Sequence, residues 1–320
     1  MNGMNNKCAS SLLPVGEMEG AMIKVCGMRD PENIRAVEAL GVQWMGFIFW
    51  PGSKRFVSER PSYLPTKCKR VGVFVDADIA EVLQKVEEYA LDVIQLHGSE
   101  SPEYISQLKN LLITLHSSPL MLRIEPAHAR KSNQAPTPLA QSQPSPLMLH
   151  PSPFTLHPSP SIIKAFNIAT PADLERTSEY ENIANYFLFD TKGKSVGGNG
   201  EQFDWSILNH YHGHTPFLLS GGIGPDDADR VKNFLTSHPS SFTLDASHRA
   251  CSCSEVESSS DSPRSIAAFT LDASPFTLHP SPFTLSPAPC IGLDLNSRFE
   301  TSPGVKDIES LHSFLTQFTH

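Results

Sequence analysis

Two residues stand at the ends of apolar runs, where a barrel or open α/β sheet keeps groups that move protons. Cys26 closes Ile23-Lys24-Val25-Cys26-Gly27-Met28, and Asp190 closes Tyr186-Phe187-Leu188-Phe189-Asp190-Thr191. An unpaired buried carboxylate is costly, so an acid directly after four apolar residues is hard to explain as core. A thiol and a carboxyl on opposite sides of a bound molecule suit a reaction that takes a proton from one atom and delivers one to another, as an isomerisation does. The thiol serves as base only when ionised, so Cys26 would need a pKa depressed by nearby positive potential. Read singly, each residue has a plainer alternative: a buried core cysteine for the first, a helix or loop cap for the second.

Other segments carry anion chemistry. Leu219-Ser220-Gly221-Gly222-Ile223-Gly224 and Asp294-Leu295-Asn296-Ser297 are glycine-rich or small-polar stretches at the ends of apolar runs. Backbone N–H groups exposed there, and at the start of a following helix, bind phosphate. Ser53-Lys54-Arg55-Phe56-Val57 offers a guanidinium whose planar fork fits a carboxylate, or else a solvated basic loop. Gly197-Gly198-Asn199-Gly200, ahead of Phe203-Asp204-Trp205, reads as a glycine-rich loop able to close over a ligand. His97, in Gln95-Leu96-His97-Gly98, reads as polar lining rather than a proton carrier.

The elements that must position these residues alternate. Short apolar runs at 22–26, 43–49, 70–75 and 92–96 read as buried strands, each followed by a helix-like stretch. The pattern continues with strand-like 161–166, 184–190, 216–220 and 290–295, and helical 172–181, 204–211, 225–236 and 304–318. Eight βα units predict an α/β protein, a (β/α)8 TIM barrel, with every candidate residue at a strand's C-terminal end.

The chain has 320 residues, more than such a barrel needs, and the surplus is recognisable. Residues 1–21 read as a disordered leader. Inserts at about 115–160 and 238–288 carry near-copies of one phrase, HPSPFTLHPSP at 150–160 and SPFTLHPSPFTL at 274–285. Proline at every third or fourth position forbids helix and central strand, so both read as disordered low-complexity loops. Each joins a helix to the next strand, on the barrel face opposite the chemistry. The 22–320 remainder is one barrel domain.

A formal net charge of -9 gives no general reason to bind nucleic acid or an anionic membrane, so a small anionic ligand needs a local site. No apolar run approaches the roughly 20 residues that span a bilayer, and a cytoplasmic protein is expected. The six cysteines form no CxxC pair and read as reduced thiols. Cys251 and Cys253 make a CxC, but a zinc site takes four spaced ligands, so no metal is expected.

In order along the chain, KVCGMRD (24–30), GFIFWPGSKRFV (46–57), VGVFVD (71–76), VIQLHGSE (93–100), FLFDTKG (187–193), GGNGEQFDW (197–205), LLSGGI (218–223) and GLDLNSRFE (292–300) resemble the phosphoribosylanthranilate isomerase family. The resemblance covers about 22–113, 161–236 and 289–318, and the KVCG and FDT pair is its specific part. It implies a (β/α)8 barrel and an Amadori rearrangement of a small phosphorylated substrate in tryptophan biosynthesis, without a cofactor. It implies Asp190 as acid, Cys26 as base, Arg55 on the anthranilate carboxylate, and Gly221, Gly222, Asn296 and Ser297 at the phosphate. The chain departs from the family's Ser-Ser-Gly turn with Asn296-Ser297-Arg298, where Arg298 either adds charge to the phosphate site or points to solvent. The histidine-pathway isomerase uses aspartate where Cys26 stands, and indole-glycerol-phosphate synthase depends on a lysine and glutamates, so Cys26 speaks against both. An idle barrel presenting its Ser/Pro repeats to a partner would have no use for Cys26, Asp190 and Arg55 together.

Overall fold

The structure, a computed structural model, describes residues 21–117, 159–191, 204–238 and 289–318. The leader, most of both repeat-bearing inserts, Gly197–Gly200 and the Cys251/Cys253 pair lie outside them.

Eight parallel strands close into a barrel in sequence order: β1 (Met22–Val25), β2 (Trp44–Ile48), β3 (Lys69–Phe74), β4 (Val93–Leu96), β5 (Ser161–Ile168), β6 (Tyr186–Thr191), β7 (Phe217–Leu219) and β8 (Cys290–Leu295). Helices α1 (Pro31–Ala39), α2 (Ile79–Tyr89), α3 (Pro102–Ser117), α4 (Ala228–Ser237) and α5 (Ile308–Thr316) lie between or after them. The helix starts are written locally. Asp30 caps α1 by accepting from Asn33 N at 2.8 Å, with Pro31 in the first turn, and Asp307 caps α5 by accepting from Ser310 N at 3.1 Å.

Alternation along the strands divides the apolar residues into two sets. Trp44, Val71, Val93, Ile163, Ala165, Leu188, Leu218 and Ile291 fill the barrel interior, while a larger set including Phe47, Leu96, Phe166, Phe189, Val231 and Phe314 packs between strands and helices. Above the interior layer, Cys26, Ile48 and Val73 form a small cluster with Trp50 against it. The polar site therefore has a dry floor.

Three expectations about the elements need correction. No helix follows β2: residues 49–68 run as turns and extended chain, because Pro51, Pro61 and Pro65 interrupt any helical ladder. Glu38 on α1 organises this stretch instead, accepting from Lys67 N at 2.6 Å and from Thr66 N and the Tyr63 hydroxyl. The segments expected as helices at 172–181 and 204–211 are tighter 3-10 turns, at Pro171–Tyr180 and Trp205–His210. The last helix does not start at 304, since β9 (Glu300–Ser302) and β10 (Val305–Lys306) first make a short antiparallel ribbon around Gly304, which has φ 86°.

Among the described residues no helix is long and apolar enough to cross a membrane. The segment between Ser117 and Ser161 joins α3 to β5, and that between Ser237 and Cys290 joins α4 to β8, so both attach at the barrel's N-terminal rim. Lengthening such a connection costs only about 0.6 kcal/mol per doubling. Deleting about 118–158 and 240–286 together, with short linkers, is expected to leave kcat/KM within a few-fold. A folded deletion protein that loses more than about a hundredfold, roughly 2.7 kcal/mol of transition-state stabilisation, would place an insert at the catalytic rim.

Candidate active site

The pairing of β8 with its two neighbours, β7 and β1, decides what faces inward. Phe217 of β7 pairs with Cys290 but Leu218 pairs with Gly292, so β8 carries one extra residue there. This bulge shifts the phase of β8. Ile291 points into the interior layer, yet Leu293 and Leu295 point outward and Asp294 inward. Across the seam Asp294 is the register partner of Lys24, and Lys24 Nζ donates to its Oδ1 at 2.7 Å. Both are buried, and Ser220 Oγ reaches Asp294 Oδ2 at 3.3 Å.

Cys26 follows Lys24 by two residues on the same inward face of the chain, directly above the ion pair. Gly46 of β2 makes room for it: a Cβ there would stand 2.7 Å from Cys26 Sγ, and Gly46 O accepts from both Gly27 N and Met28 N, at 3.0 and 2.9 Å. Burial pushes the Cys26 thiol above its ordinary pKa; Lys24 and Lys306 pull it down, and Asp294 adds to the rise. The depression that a base role for Cys26 would need is opposed by its burial. The physical reason is that desolvation exceeds the help of Lys24, whose charge is shared with Asp294. For Lys24 itself burial works against the charge, but Asp294 and Cys26 hold its pKa above the ordinary value.

Cys26, Arg55, His97, Asp190, Gly221, Gly222, Asn296, Ser297 and Arg298 all line one cleft of about 770 Å³, solvent at its mouth included. Asp190 projects from β6 with β7 and β8 between it and β1; its Oδ1 accepts from Thr191 N at 2.8 Å. Its Oδ2 lies 3.5 Å from His97 Nε2, and Gln95 Nε2 lies 3.3 Å from the other ring nitrogen. Gly221 and Gly222 take φ of 89° and 70°, a conformation open to glycine but strained for other residues. Arg298 lies against the same loop, and a Cβ on Gly224 would stand 2.7 Å from its Nε. Arg55 enters from the loop after β2 with its guanidinium buried and paired to Glu300, Nη2 to Oε2 at 2.7 Å and Nε to Oε1 at 2.8 Å.

With this geometry in view, the chain's relatives can be placed. The sequence model described as N-(5'phosphoribosyl)anthranilate (PRA) isomerase matches residues 23–133 and 155–247. The N-(5'-phosphoribosyl)anthranilate isomerase of Parabacteroides distasonis is 35% identical over 305 residues, which is 93% of this chain and 94% of that one. This chain belongs to the phosphoribosylanthranilate isomerase family. It is an isomerase of tryptophan biosynthesis, of the aldose–ketose type. Solved members share its fold: the Thermus thermophilus enzyme superposes with a TM-score of 0.53 at 22% identity, covering 92% of this chain and 97% of that one. Another phosphoribosylanthranilate isomerase structure, TM-score 0.51 at 19% identity with coverage of 93% and 97%, was solved in complex with reduced 1-(o-carboxyphenylamino)-1-deoxyribulose 5-phosphate.

Beyond the residues expected from sequence, the site includes Lys24, Asp294, Glu300 and Lys306. Lys24, Asp294 and Glu300 sit within the quoted motifs, and a charge two residues before Cys26 was the available signal. The inward face that Asp294 took depended on the β8 bulge. The opposing pulls on Cys26 make a signed prediction. Alkylation of Cys26 by iodoacetamide, followed by peptide mass spectrometry against pH, is expected to show a midpoint above the ordinary thiol value of about 8.5. Asp294→Asn should lower that midpoint by freeing Lys24, and Lys24→Met should raise it. Shifts of the opposite sign would contradict the electrostatic account.

Proposed function

We propose that this chain converts N-(5'-phosphoribosyl)anthranilate to 1-(2-carboxyphenylamino)-1-deoxyribulose 5-phosphate, with Asp190 as general acid and Cys26 as general base. The observation that carries the reading is that a thiol just after β1 and a carboxyl from β6 line one cleft, together with a guanidinium and a glycine turn suited to anions. A solved relative holds reduced 1-(o-carboxyphenylamino)-1-deoxyribulose 5-phosphate, a ligand with the carboxylate and the phosphate that this reading requires.

In this reading Asp190 gives a proton to the ribose ring oxygen. The bond from that oxygen to C1′ breaks, and the anilino nitrogen's lone pair forms the C1′=N bond of a protonated Schiff base. The Cys26 thiolate then takes the proton from C2′. The C–H electrons form C1′=C2′ and the former iminium pair returns to nitrogen, leaving an enolamine. Loss of the enol proton and gain of a proton at C1′ complete the ketone. No electrons leave the substrate, so the chemistry calls for placed proton carriers and not for a redox partner.

The substrate's two anionic groups match two sets of residues that line the cleft. The phosphate fits the positive-φ turn at Gly221 and Gly222 with Asn296 and Ser297, near the N-terminal end of the Pro225–Asp227 turn that leads into α4. The anthranilate carboxylate fits Arg55. Lys24 supplies the positive potential that holds thiolate once it forms, and the dry cluster of Ile48 and Val73 beside Cys26 keeps water from quenching it.

Proton transfer by a placed group typically contributes about 100- to 10,000-fold. Asp190→Asn and Cys26→Ala are each expected to lose turnover on that scale while still binding the reduced product analogue. A steady-state assay with purified variants checks this, and near wild-type kcat in either would remove that residue from its role.

A further inference from the structure

Arg55 lines the cleft, whereas Glu300 stands behind it and does not. A guanidinium has five N–H donors in a fixed plane, and the edge it offers a ligand depends on which edge the protein holds. Glu300 takes the Nε side: Oε1 accepts from Nε at 2.8 Å, and Oε2 accepts from Nε at 3.0 Å and from Nη2 at 2.7 Å. That leaves the Nη1 donors and the second Nη2 hydrogen, the end-on fork, for the cleft.

Glu300 is itself fixed. Lys306 Nζ, with its side chain fully buried, donates to Glu300 Oε1 at 2.7 Å and to Asn296 Oδ1 at 2.9 Å, and Gly304 N donates to Glu300 Oε1 at 3.2 Å. Lys306 is anchored in turn by Asn33 of α1, whose amide donates to Lys306 O at 2.9 Å and accepts from Lys306 N at 2.7 Å. Burial works to raise the Glu300 pKa, but Arg55 and Lys306 bring it below the ordinary carboxylate value. Arg55 and Lys306 are thus both held against one carboxylate, while burial pulls the Lys306 pKa below its ordinary value.

We propose that Glu300 is a positioning residue for specificity: it locks the Nε edge of Arg55, so that the end-on fork meets the ligand's carboxylate, and through Lys306 it ties this fork to the neighbouring Asn296 loop. The proposal rests on the reading that Arg55 receives the carboxylate. It explains why a short ribbon intervenes between β8 and α5: the ribbon delivers Glu300 behind Arg55 and Lys306 beneath Asn296.

The test compares reduced 1-(o-carboxyphenylamino)-1-deoxyribulose 5-phosphate with its carboxamide counterpart, by calorimetric titration of wild type, Arg55→Ala and Glu300→Gln. Glutamine keeps the shape of Glu300 but carries no charge and puts an amide donor where one carboxylate oxygen accepts, so it can no longer satisfy Arg55 and Lys306 together. Glu300→Gln is expected to cut the preference for carboxylate over carboxamide by about tenfold or more, the scale of a lost charge-assisted contact, with carboxamide affinity little changed. A merely structural Glu300 would weaken both ligands alike, and that result, or an unchanged preference, overturns the proposal. Arg55→Ala separates the two levels. If it retains the preference, the carboxylate reading fails and the Glu300 role falls with it; if it loses the preference while Glu300→Gln keeps it, only the Glu300 role fails. Should Glu300→Gln not fold, the Arg55 Nε–H signal of 15N-labelled wild type decides. A sharp Nε–H peak in the free chain, unmoved by the carboxylate ligand, supports the lock, and a peak that forms or shifts only with ligand refutes it.

Discussion

The ion pair between Lys24 and Asp294 is the constraint on which the site depends. It sits on the seam where β8 meets β1 and closes the barrel, between residues in register with each other. Burying two charges is expensive, and apolar replacements for such pairs are often neutral or stabilising, so stability alone is a weak reason for its presence. Removing one partner is a different matter, at about 3–5 kcal/mol for the charge left behind. Once the pair exists, it places a cation under Cys26 in a part of the barrel otherwise filled by side chains such as Trp44, Val71 and Leu188. Geometry at the seam therefore governs the thiol's electrostatics.

The same economy runs round the rim. Cys26, Asp190, Gly221 and Asn296 come from β1, β6 and the loops after β7 and β8, while Arg55 arrives from the helix-free stretch after β2. Buried charges hold these pieces in place: Lys24 with Asp294, Arg55 and Lys306 with Glu300, and, behind β4, Lys164 with Glu100 at 3.1 Å. Glu100 also accepts from Asp76 N and Gly98 N, at 2.9 and 3.0 Å, so it fastens the loops after β3 and β4 together. Fixed polar groups of this kind need little reorganisation when charge develops on a substrate, which is the source of most electrostatic catalysis.

The barrel was legible because its strands are continuous apolar runs with turn residues between them, and the alternation survives two long inserts. Cys26 and Asp190 were legible because each ends such a run, where an ionisable group has no core role. Three things were hidden. The inward turn of Asp294 depends on a one-residue bulge, and no propensity of Ile291 or Gly292 announces it. The thiol's raised pKa is a balance between desolvation and three neighbouring charges, of which sequence gives the identities but not the distances. Glu300 and Lys306 meet Arg55 from positions far along the chain, and a sequence reads a helix from 304 because the ribbon there is only a few residues long.

In the proposed reaction one cleft orients the substrate with its phosphate at Gly221, Gly222 and Ser297, its carboxylate at Arg55, and its reacting carbons between Cys26 and Asp190. A crystal structure of this chain with reduced 1-(o-carboxyphenylamino)-1-deoxyribulose 5-phosphate measures that orientation directly. The account predicts C2′ in van der Waals contact with Cys26 Sγ and the sugar oxygen at C4′ within hydrogen-bond reach of the Asp190 carboxyl. A ligand bound end for end, with its carboxylate in the glycine turn, or one whose C2′ lies away from the thiol, would contradict it.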